Sequence, residues 1–310
     1  MAWNQKISHR LSAASQRRAN FAAQRRRAAY LFILPALIVL GLIGLYPLLY
    51  QVYLSFTDWY LLTSPEPIFH GLRGFERLVT DPVVWASLGR TVYWTVGTVV
   101  LELAMGMGIA LLLNRRTVIN GVLSALILLP WVAPSIVVAL TWRWLLDSEY
   151  GTLHYILQSL DLAGRRSLLG SPATALAVLT FVSAWKGTPF MVIALLAAMK
   201  SIPHELYEAA SVDGASALQK FWYIMLPLIR RTAVAMSLVL GILAFYSFDI
   251  VWAVGKGGPA DSTTLIGVYL FRNFFERKEI SYAATIAVSM LVLLLIFSAI
   301  YVWVFRQRDS

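Results

Sequence analysis

The sequence contains no cysteine, which excludes disulfide bonds and thiolate metal sites. It is also poor in charge, because charged residues make up 14% of the chain, whereas soluble proteins carry about 25%. Hydrophobic residues make up 59% of the 310 residues. They are concentrated in runs longer than the roughly 20 residues that cross a bilayer. The composition therefore predicts an all-α membrane protein that crosses the bilayer several times.

The signatures of common catalytic and nucleotide-binding sites are missing as well. No G-x-x-x-x-G-K-[ST] loop occurs, so ATP would have to be bound by another subunit. The four histidines lie in separate polar segments without metal-ligand spacing. There is no G-x-S-x-G motif and no carboxylate pair placed for glycosidic hydrolysis. The sequence thus predicts no catalytic residue, no metal site and no cofactor in this chain, and it argues against an enzyme.

The net charge of +10 is not distributed as in a nucleic-acid-binding protein. Seven of the 26 basic residues lie within residues 1–27, before the first apolar run. No alternation of aromatic and basic residues suited to base stacking is present. A basic segment before a membrane span is typical of an anchor at the cytoplasmic face, close to anionic lipid. We therefore predict that residues 1–27 form a basic cytoplasmic tail that contacts membrane lipid and not nucleic acid.

Residues 28–310 are predicted to form one domain with six membrane spans. The spans are expected at 28–56, 91–113, 118–142, 172–199, 232–254 and 282–305. The polar segments on the side of the termini hold 15 Lys and Arg residues, and those on the other side hold 10. Because cytoplasmic loops carry an excess of Lys and Arg, both termini and the segment 200–231 are predicted to be cytoplasmic.

The most informative polar segment is 200–228. It contains Glu208-Ala209-Ala210, then Gly214 and, after nine further residues, Ile224-Met225-Leu226-Pro227, a pattern of the form EAA-x3-G-x9-I-x-L-P. Pro203 can open a helix and Gly214 can supply a bend. A second short helix, from about 215 to 223, is expected to stop before Pro227. Two short helices joined at a glycine form a knob that suits a socket on another protein.

This pattern resembles the coupling loop in the membrane subunits of binding-protein-dependent ABC importers. Two further segments are similar to the carbohydrate branch, the maltose and glycerol-phosphate permease group: Leu129 to Ser135, and Phe245 to Ile250 followed by Gly257-Gly258-Pro259. The resemblance implies the type I ABC importer permease fold with six transmembrane helices. It also implies the residues that couple to the ATPase, which are Glu208, Ala209, Ala210, Gly214, Leu226 and Pro227.

The same resemblance implies a path for the solute, because the maltose-type subunit holds its sugar with residues from three segments. These are the two just named and a Trp-x-Gly-x-Pro-aromatic segment, which matches Trp185 to Phe190 in this chain. The residues carried over are Trp131, Ser135, Ser183, Ala184, Lys186, Gly187, Phe190, Leu243, Ala244, Tyr246 and Ser247. Aromatic faces and hydrogen-bonding groups suit a sugar, which has apolar C–H faces and many hydroxyls. Ala184 and Ala244 stand where the maltose-type subunit has amides, and Lys186 stands where it has an aliphatic residue, so maltose itself is not implied.

Three ionisable residues lie within the predicted spans: Glu102, Lys186 and Asp249. Such groups are costly in a bilayer and usually face a cavity or a partner. Two alternatives are open for Lys186, which either pairs with Glu102 or Asp249 or contacts an acidic group of the solute. Lys186 with Gly187 and Pro189 also predicts a break in the fourth span that exposes backbone to a water-filled path.

The sequence therefore predicts the membrane-spanning subunit of an ATP-driven type I ABC importer in a bacterial or archaeal plasma membrane. Its solute would be a sugar or sugar derivative, carried to the cytosol. The resemblance implies as partners a second homologous permease, two ATPase subunits that bind ATP and Mg, and a periplasmic or lipid-anchored solute-binding protein.

Two other functions are weighed against this prediction. An ion-coupled secondary transporter could use Glu102 and Asp249 as coupling sites, but the six spans show no internal repeat. A membrane-embedded transferase would need a cluster of Asp, His and Glu at an interface, and the sequence shows none.

Overall fold

A computed structural model of the chain describes residues 30–114, 120–162, 164 and 167–306. The predicted tail, residues 1–27, lies outside the described residues. Apart from turns and loops, the described chain is helical, with one short antiparallel ribbon formed by β1 (Thr57–Asp58) and β2 (Ile68–Phe69). Five helices of the described chain are long and apolar enough to cross a membrane, and one bent pair of helices, taken together, is long and apolar enough for a sixth.

The helices are numbered here in chain order. They are α1 (Tyr30–Leu54), α2 (Arg73–Thr80), α3 (Pro82–Leu113), α4 (Asn120–Val132), α5 (Ser135–Leu145), α6 (Thr152–Ser159), α7 (Ala175–Lys200), α8 (His204–Val212), α9 (Ala217–Lys220), α10 (Leu226–Phe245), α11 (Asp249–Gly255), α12 (Ile266–Phe271) and α13 (Ile280–Arg306).

The third span is broken and does not form the continuous crossing predicted over 118–142. Its two parts, α4 and α5, meet at an angle of 95°. Pro134 lies in the break with an extended ψ of 139° and cannot donate an N–H to continue α4. After the break, α5 packs against α11.

The fourth span shows the opposite departure from prediction, because the expected break near Lys186 is absent. α7 is continuous, and Pro189 lies inside it. α7 packs along most of its length against α3 and also contacts α10. This packing on two sides holds the helix on its path although one backbone hydrogen bond is missing.

Two other prolines are accommodated by wider helical turns. A π-helical turn, Gly41–Leu45, precedes Pro47 in α1, and another, Phe221–Met225, precedes Pro227 and joins α9 to α10. Leu226 donates its N–H five residues back to the Phe221 carbonyl. Such a turn removes the clash between a proline ring and the carbonyl four residues earlier. The prediction that the second short helix stops before Pro227 is therefore wrong, since that helix runs on into the fifth span.

The core of the molecule is the contact between α3 and α7. Trp94 of α3 is fully buried among Leu179 and Val182 of α7 and Val251 of α11. Further along the same pair of helices, a second apolar cluster includes Ala110, Met191, Leu195 and Ile229. Within a bilayer, such contacts act through van der Waals packing between closely fitting helices.

Helix α3 begins at Pro82, nine residues before the predicted start of the second span, because Asp81 caps it. Val83 donates its N–H to Asp81 Oδ1 at 2.9 Å. The second carboxyl oxygen, Oδ2, accepts hydrogen bonds from the hydroxyls of Tyr269 at 2.7 Å and Tyr282 at 2.6 Å. One carboxylate therefore ties the start of α3 to α12 and α13.

Arg77 of α2 extends this connection. Its guanidinium lies 3.8 Å from the centroid of the Tyr282 ring and forms a 2.7 Å ion pair with Glu279. A planar guanidinium suits stacking and ion pairing at once. The short helix α2 is thereby fixed beside the ends of α3 and α13.

The Asp81 connection predicts a pH-dependent stability. Burial raises the pKa of Asp81, but hydrogen bonds from Tyr282, Tyr269 and backbone N–H groups outweigh it, so the pKa lies below the ordinary value. A depressed folded-state pKa contributes stability that is present above the unfolded value of about 3.9 and is lost as the pH falls through the folded value. We expect Asp81→Asn to reduce the stability of the detergent-solubilised protein at pH 7 by about 1–3 kcal/mol, because the hydrogen bonds to a charged group are lost.

The measurement is the melting temperature of wild type and Asp81→Asn between pH 7 and pH 3. The difference between the two melting temperatures should narrow as the pH falls below about 4, because the unfolded chain then binds a proton that folded wild type takes up only at lower pH. The exposed Asp58 provides a matched control, and Asp58→Asn should change the melting temperature little at any pH. If Asp81→Asn lowered the melting temperature by the same amount at pH 7 and at pH 3, this account would be contradicted.

Candidate functional site

A cavity of about 440 Å³ lies between α3, the α4–α5 break, α7 and the junction of α10 with α11. Ligand pockets in proteins have volumes of about 300–1,000 Å³. Its wall is formed by Thr98, Glu102, Trp131, Ser135, Ser183, Lys186, Gly187, Phe190, Leu240, Leu243, Ala244, Tyr246, Ser247, Phe248, Asp249 and Ile250.

Two helix breaks create this cavity. The break between α4 and α5 brings Trp131 and Ser135 to its wall, and the break between α10 and α11 brings Tyr246 and Ser247. Irregular backbone at membrane depth is tolerated where it lines a cavity. The breaks therefore place polar backbone and side chains where a polar solute could meet them.

One face of α7 supplies the opposite wall. Ser183, Lys186, Gly187 and Phe190 follow the spacing of i, i+3, i+4 and i+7, which places them on one side of a helix. Ala184, which the sequence analysis also assigned to the solute path, lies off this face. It is fully buried and does not line the cavity.

The wall combines aromatic faces with hydroxyl groups. Trp131 and Phe190 pack edge to face, with ring centroids 5.0 Å apart. Tyr246 is about half exposed, at 45%. The serine hydroxyls of three separate segments line the same space. This arrangement suits a solute with both apolar faces and many hydrogen-bonding groups.

Lys186 donates a 3.3 Å hydrogen bond from Nζ to the backbone carbonyl of Trp131. Within the described chain, its ammonium forms no ion pair shorter than 4.0 Å with Glu102 or Asp249, although all three line the cavity. The direct pairing considered from the sequence is thus not formed. An ammonium group has three N–H donors, so Lys186 can also donate to oxygens of a solute.

Glu102 is buried in the wall, with 4% of its surface exposed. Its side chain packs against Gly187 so closely that a Cβ at that position would overlap Oε1. The sequence marks Glu102 as an intramembrane charge, whereas the family resemblance assigns it no place on the solute path. Thr98, four residues earlier on α3, lines the cavity as well. The only signal for Thr98 in the sequence is its helical spacing from Glu102.

The segment 200–228 folds as the predicted knob. Helix α8 ends before Gly214, which has a left-handed φ of +78°. Gly214 donates its N–H to the Ser211 carbonyl at 3.1 Å, and Ala215 donates to Ala210 at 2.8 Å, so the end of α8 is capped. Ser216 then starts α9 with a reciprocal capping box to Gln219.

A side-chain contact that the sequence analysis missed holds the two helices of the knob together. Lys220 of α9 donates a 2.6 Å hydrogen bond from Nζ to the hydroxyl of Ser211 on α8. Ser211 in turn donates to the Tyr207 carbonyl at 2.7 Å. The knob is therefore a braced unit and not a flexible linker.

The predicted coupling residues lie on or near the surface of this knob. Glu208 and Ala209 are exposed, Ala210 is half-buried, and Glu208 accepts a 3.0 Å hydrogen bond from His204 Nδ1. Gly214 and Pro227 are also exposed, and Leu226 is half-buried. Apolar side chains beside them are left uncovered, with Val212 89%, Tyr223 79% and Leu218 67% exposed. Large contiguous patches of exposed apolar surface mark sites that contact another protein or the membrane.

Comparison with known proteins agrees with this architecture. Residues 103–309 match the family described as "Binding-protein-dependent transport system inner membrane component". The chain is 34% identical over 284 residues to the sulfoquinovosyl glycerol transport system permease protein SmoG of Agrobacterium fabrum, covering 92% of each protein. It is also 34% identical over 282 residues to the trehalose/maltose transport system permease protein MalF of Thermococcus litoralis, covering 91% of this chain and 95% of MalF.

A solved structure shares the fold. A chain in the crystal structure of a bacterial alginate ABC transporter in complex with an alginate pentasaccharide-bound periplasmic protein superposes with a TM-score of 0.78 at 21% identity. The match covers 93% of this chain and 96% of that one. The predicted type I ABC importer permease fold is therefore confirmed.

Membership of this family distinguishes between the importer permease and the two alternative functions considered from the sequence. Its members are inner membrane components of binding-protein-dependent transport systems, so neither the ion-coupled secondary transporter nor the membrane-embedded transferase is retained. The chain belongs to this family, as a multi-pass permease subunit of an ATP-driven importer and not an enzyme.

Proposed function

We propose that the chain carries a sugar or a sugar derivative through the cavity between α3, α5, α7 and the α10–α11 junction. The observation that carries this proposal is that residues from distant segments of the sequence line one cavity. Ten of the eleven residues that the family resemblance assigned to a solute path, drawn from three distant segments, line this one cavity.

The chemistry of the cavity and the names of the relatives support the same class of solute. Aromatic faces can stack on the C–H faces of a sugar, while serine hydroxyls and the Lys186 ammonium can bond to its oxygens. The two relatives named above are permeases for sulfoquinovosyl glycerol and for trehalose and maltose. The ammonium would also suit an acidic group on a sugar derivative.

The knob formed by α8 and α9 is proposed to dock on an ATPase subunit that binds ATP and Mg. The remaining partners are a second homologous permease, a second ATPase copy and a periplasmic or lipid-anchored solute-binding protein. The excess of basic residues in these segments supports the proposal that both termini and the knob lie in the cytosol. The exposed apolar side chains of the knob provide the docking surface.

A continuous helix links the knob to the cavity. From Ala217 the chain is helical through the π turn to Phe245, and it carries Leu240, Leu243 and Ala244 to the cavity wall. At 1.5 Å per residue, this helix spans roughly 40 Å. A displacement of the knob on ATP binding would therefore move the wall directly, as alternating access by rigid-body rocking requires.

The proposal is tested by reconstitution in proteoliposomes with its partner permease, its ATPase and its binding protein. The probes are radiolabelled maltose, trehalose and sulfoquinovosyl glycerol, with an amino acid as the negative control. We expect uptake of at least one of these sugars, dependent on ATP and on the binding protein. ATP-driven uptake of the amino acid but of no sugar would refute the proposed solute class.

The coupling role of the knob makes a separate prediction at Gly214. A Cβ at this position meets no atom within 4 Å, so a substitution there acts through the backbone alone. A left-handed conformation costs an ordinary residue about 1–2 kcal/mol, and Asn tolerates it better than other residues. We expect Gly214→Val to reduce uptake and ATPase stimulation by the loaded binding protein at least tenfold, and the matched Gly214→Asn to retain most of both.

Both variants should be present in the membrane at wild-type amounts, because Gly214 is exposed and lies outside the core. Uptake rates and the amount of assembled complex are measured on the same membranes. Wild-type uptake by Gly214→Val would remove the support for coupling through this knob.

A further inference from the structure

Glu102 is buried in the cavity wall without a partner for one of its carboxyl oxygens. Its Oε2 atom makes no hydrogen bond with any described residue. The hydroxyl of Thr98, one helical turn earlier on α3, is also buried and unpartnered, and both residues line the cavity. Buried polar atoms without partners are rare in proteins, and each one needs a physical cause.

The position of the carboxyl group is set by the opposite helix. Oε1 lies against the backbone of Gly187 on α7, where a Cβ would overlap it. The carboxyl group is therefore held between α3 and α7, and its unpartnered oxygen belongs to a residue of the cavity wall. Oε2 is buried just behind the cavity wall in this conformation, and its free lone pairs suit a ligand that brings its own hydrogen-bond donor when the wall moves.

We propose that Glu102 binds the transported solute by hydrogen bonding to hydroxyl groups of the sugar, with Thr98 beside it. This inference rests on the proposed function and adds a helix to the site, because the family resemblance placed no solute-contacting residue on α3.

A purely structural role would have a different geometry. Charged groups that stabilise a helical bundle pair with one another or with backbone groups. Lys186 lines the same cavity but forms no ion pair with Glu102 within 4.0 Å in the described chain, and Asp249 is a second carboxyl group that offers no opposite charge. A buried carboxyl group without a partner lowers the stability of the fold. Proteins keep such destabilising groups where activity requires them.

The test separates stability from transport. In the reconstituted complex, we expect Glu102→Leu to leave the melting temperature unchanged or to raise it, because an unsatisfied polar group is replaced by an apolar one of similar size. We expect the same variant to take up the sugar transported by wild type, among maltose, trehalose and sulfoquinovosyl glycerol, at least tenfold more slowly. Glu102→Gln, which keeps a hydrogen-bonding oxygen, should lose less than Glu102→Leu.

Ser87→Ala is the matched control. Ser87 is also a fully buried residue of α3 with an unpartnered hydroxyl, but it does not line the cavity. Its replacement should leave both stability and uptake near wild type.

Two results would overturn the inference. One is wild-type uptake by Glu102→Leu. The other is a fall in the melting temperature of Glu102→Leu, which would make the carboxyl group a structural element and which can be measured without any solute. Failure of the wild-type complex to take up any sugar would instead count against the proposed function.

Discussion

The close packing of α3 against α7 is the contact on which the rest of this permease depends. It buries Trp94 and Met191 and keeps α7 continuous through Pro189. It also brings Glu102 against Gly187, at a distance that excludes any larger residue at position 187. In a bilayer, where lipid competes equally for apolar surface, such a fit requires small residues at the crossing. The wall of the cavity is thus a consequence of how the core is packed.

Against this rigid pair, the other helices of the cavity are interrupted. α4 breaks from α5 at a sharp bend, and α10 is separated from α11 by a short non-helical stretch, each at the level of the cavity. The continuous helix through α9 and α10 joins one of these interrupted walls to the knob. We propose that the wall on α3 and α7, which carries Glu102 and Lys186, stays fixed while the wall on α10 follows an external partner. This division is what an alternating-access transporter requires.

Much of this could be predicted from the sequence, and the failures have physical causes. Hydropathy located the spans, and the spaced motif from Glu208 to Pro227 located the knob. The effect of each proline could not be predicted, because Pro134 breaks a helix at a cavity while Pro189, packed between neighbouring helices, does not. The residues next to each proline in the sequence do not show which other helices will pack against it. Asp81 followed by Pro82 is a local helix-start signal that the prediction did not use. Its hydrogen bonds to Tyr269 and Tyr282 could not be predicted, because those residues lie about 200 positions along the chain.

The claim at the centre of this account is that the cavity between α3 and α7 holds the solute, and thiol protection tests it most directly. The chain has no cysteine, so Ser183→Cys in the cavity wall and Ser201→Cys beyond the end of α7 each give a single reactive thiol. Both are alkylated in the reconstituted complex during ATP turnover, with and without a saturating amount of the transported sugar. The account predicts that the sugar slows alkylation at position 183 severalfold and leaves position 201 unchanged. Equal alkylation of Ser183→Cys with and without sugar, in a complex that transports it, would contradict the account.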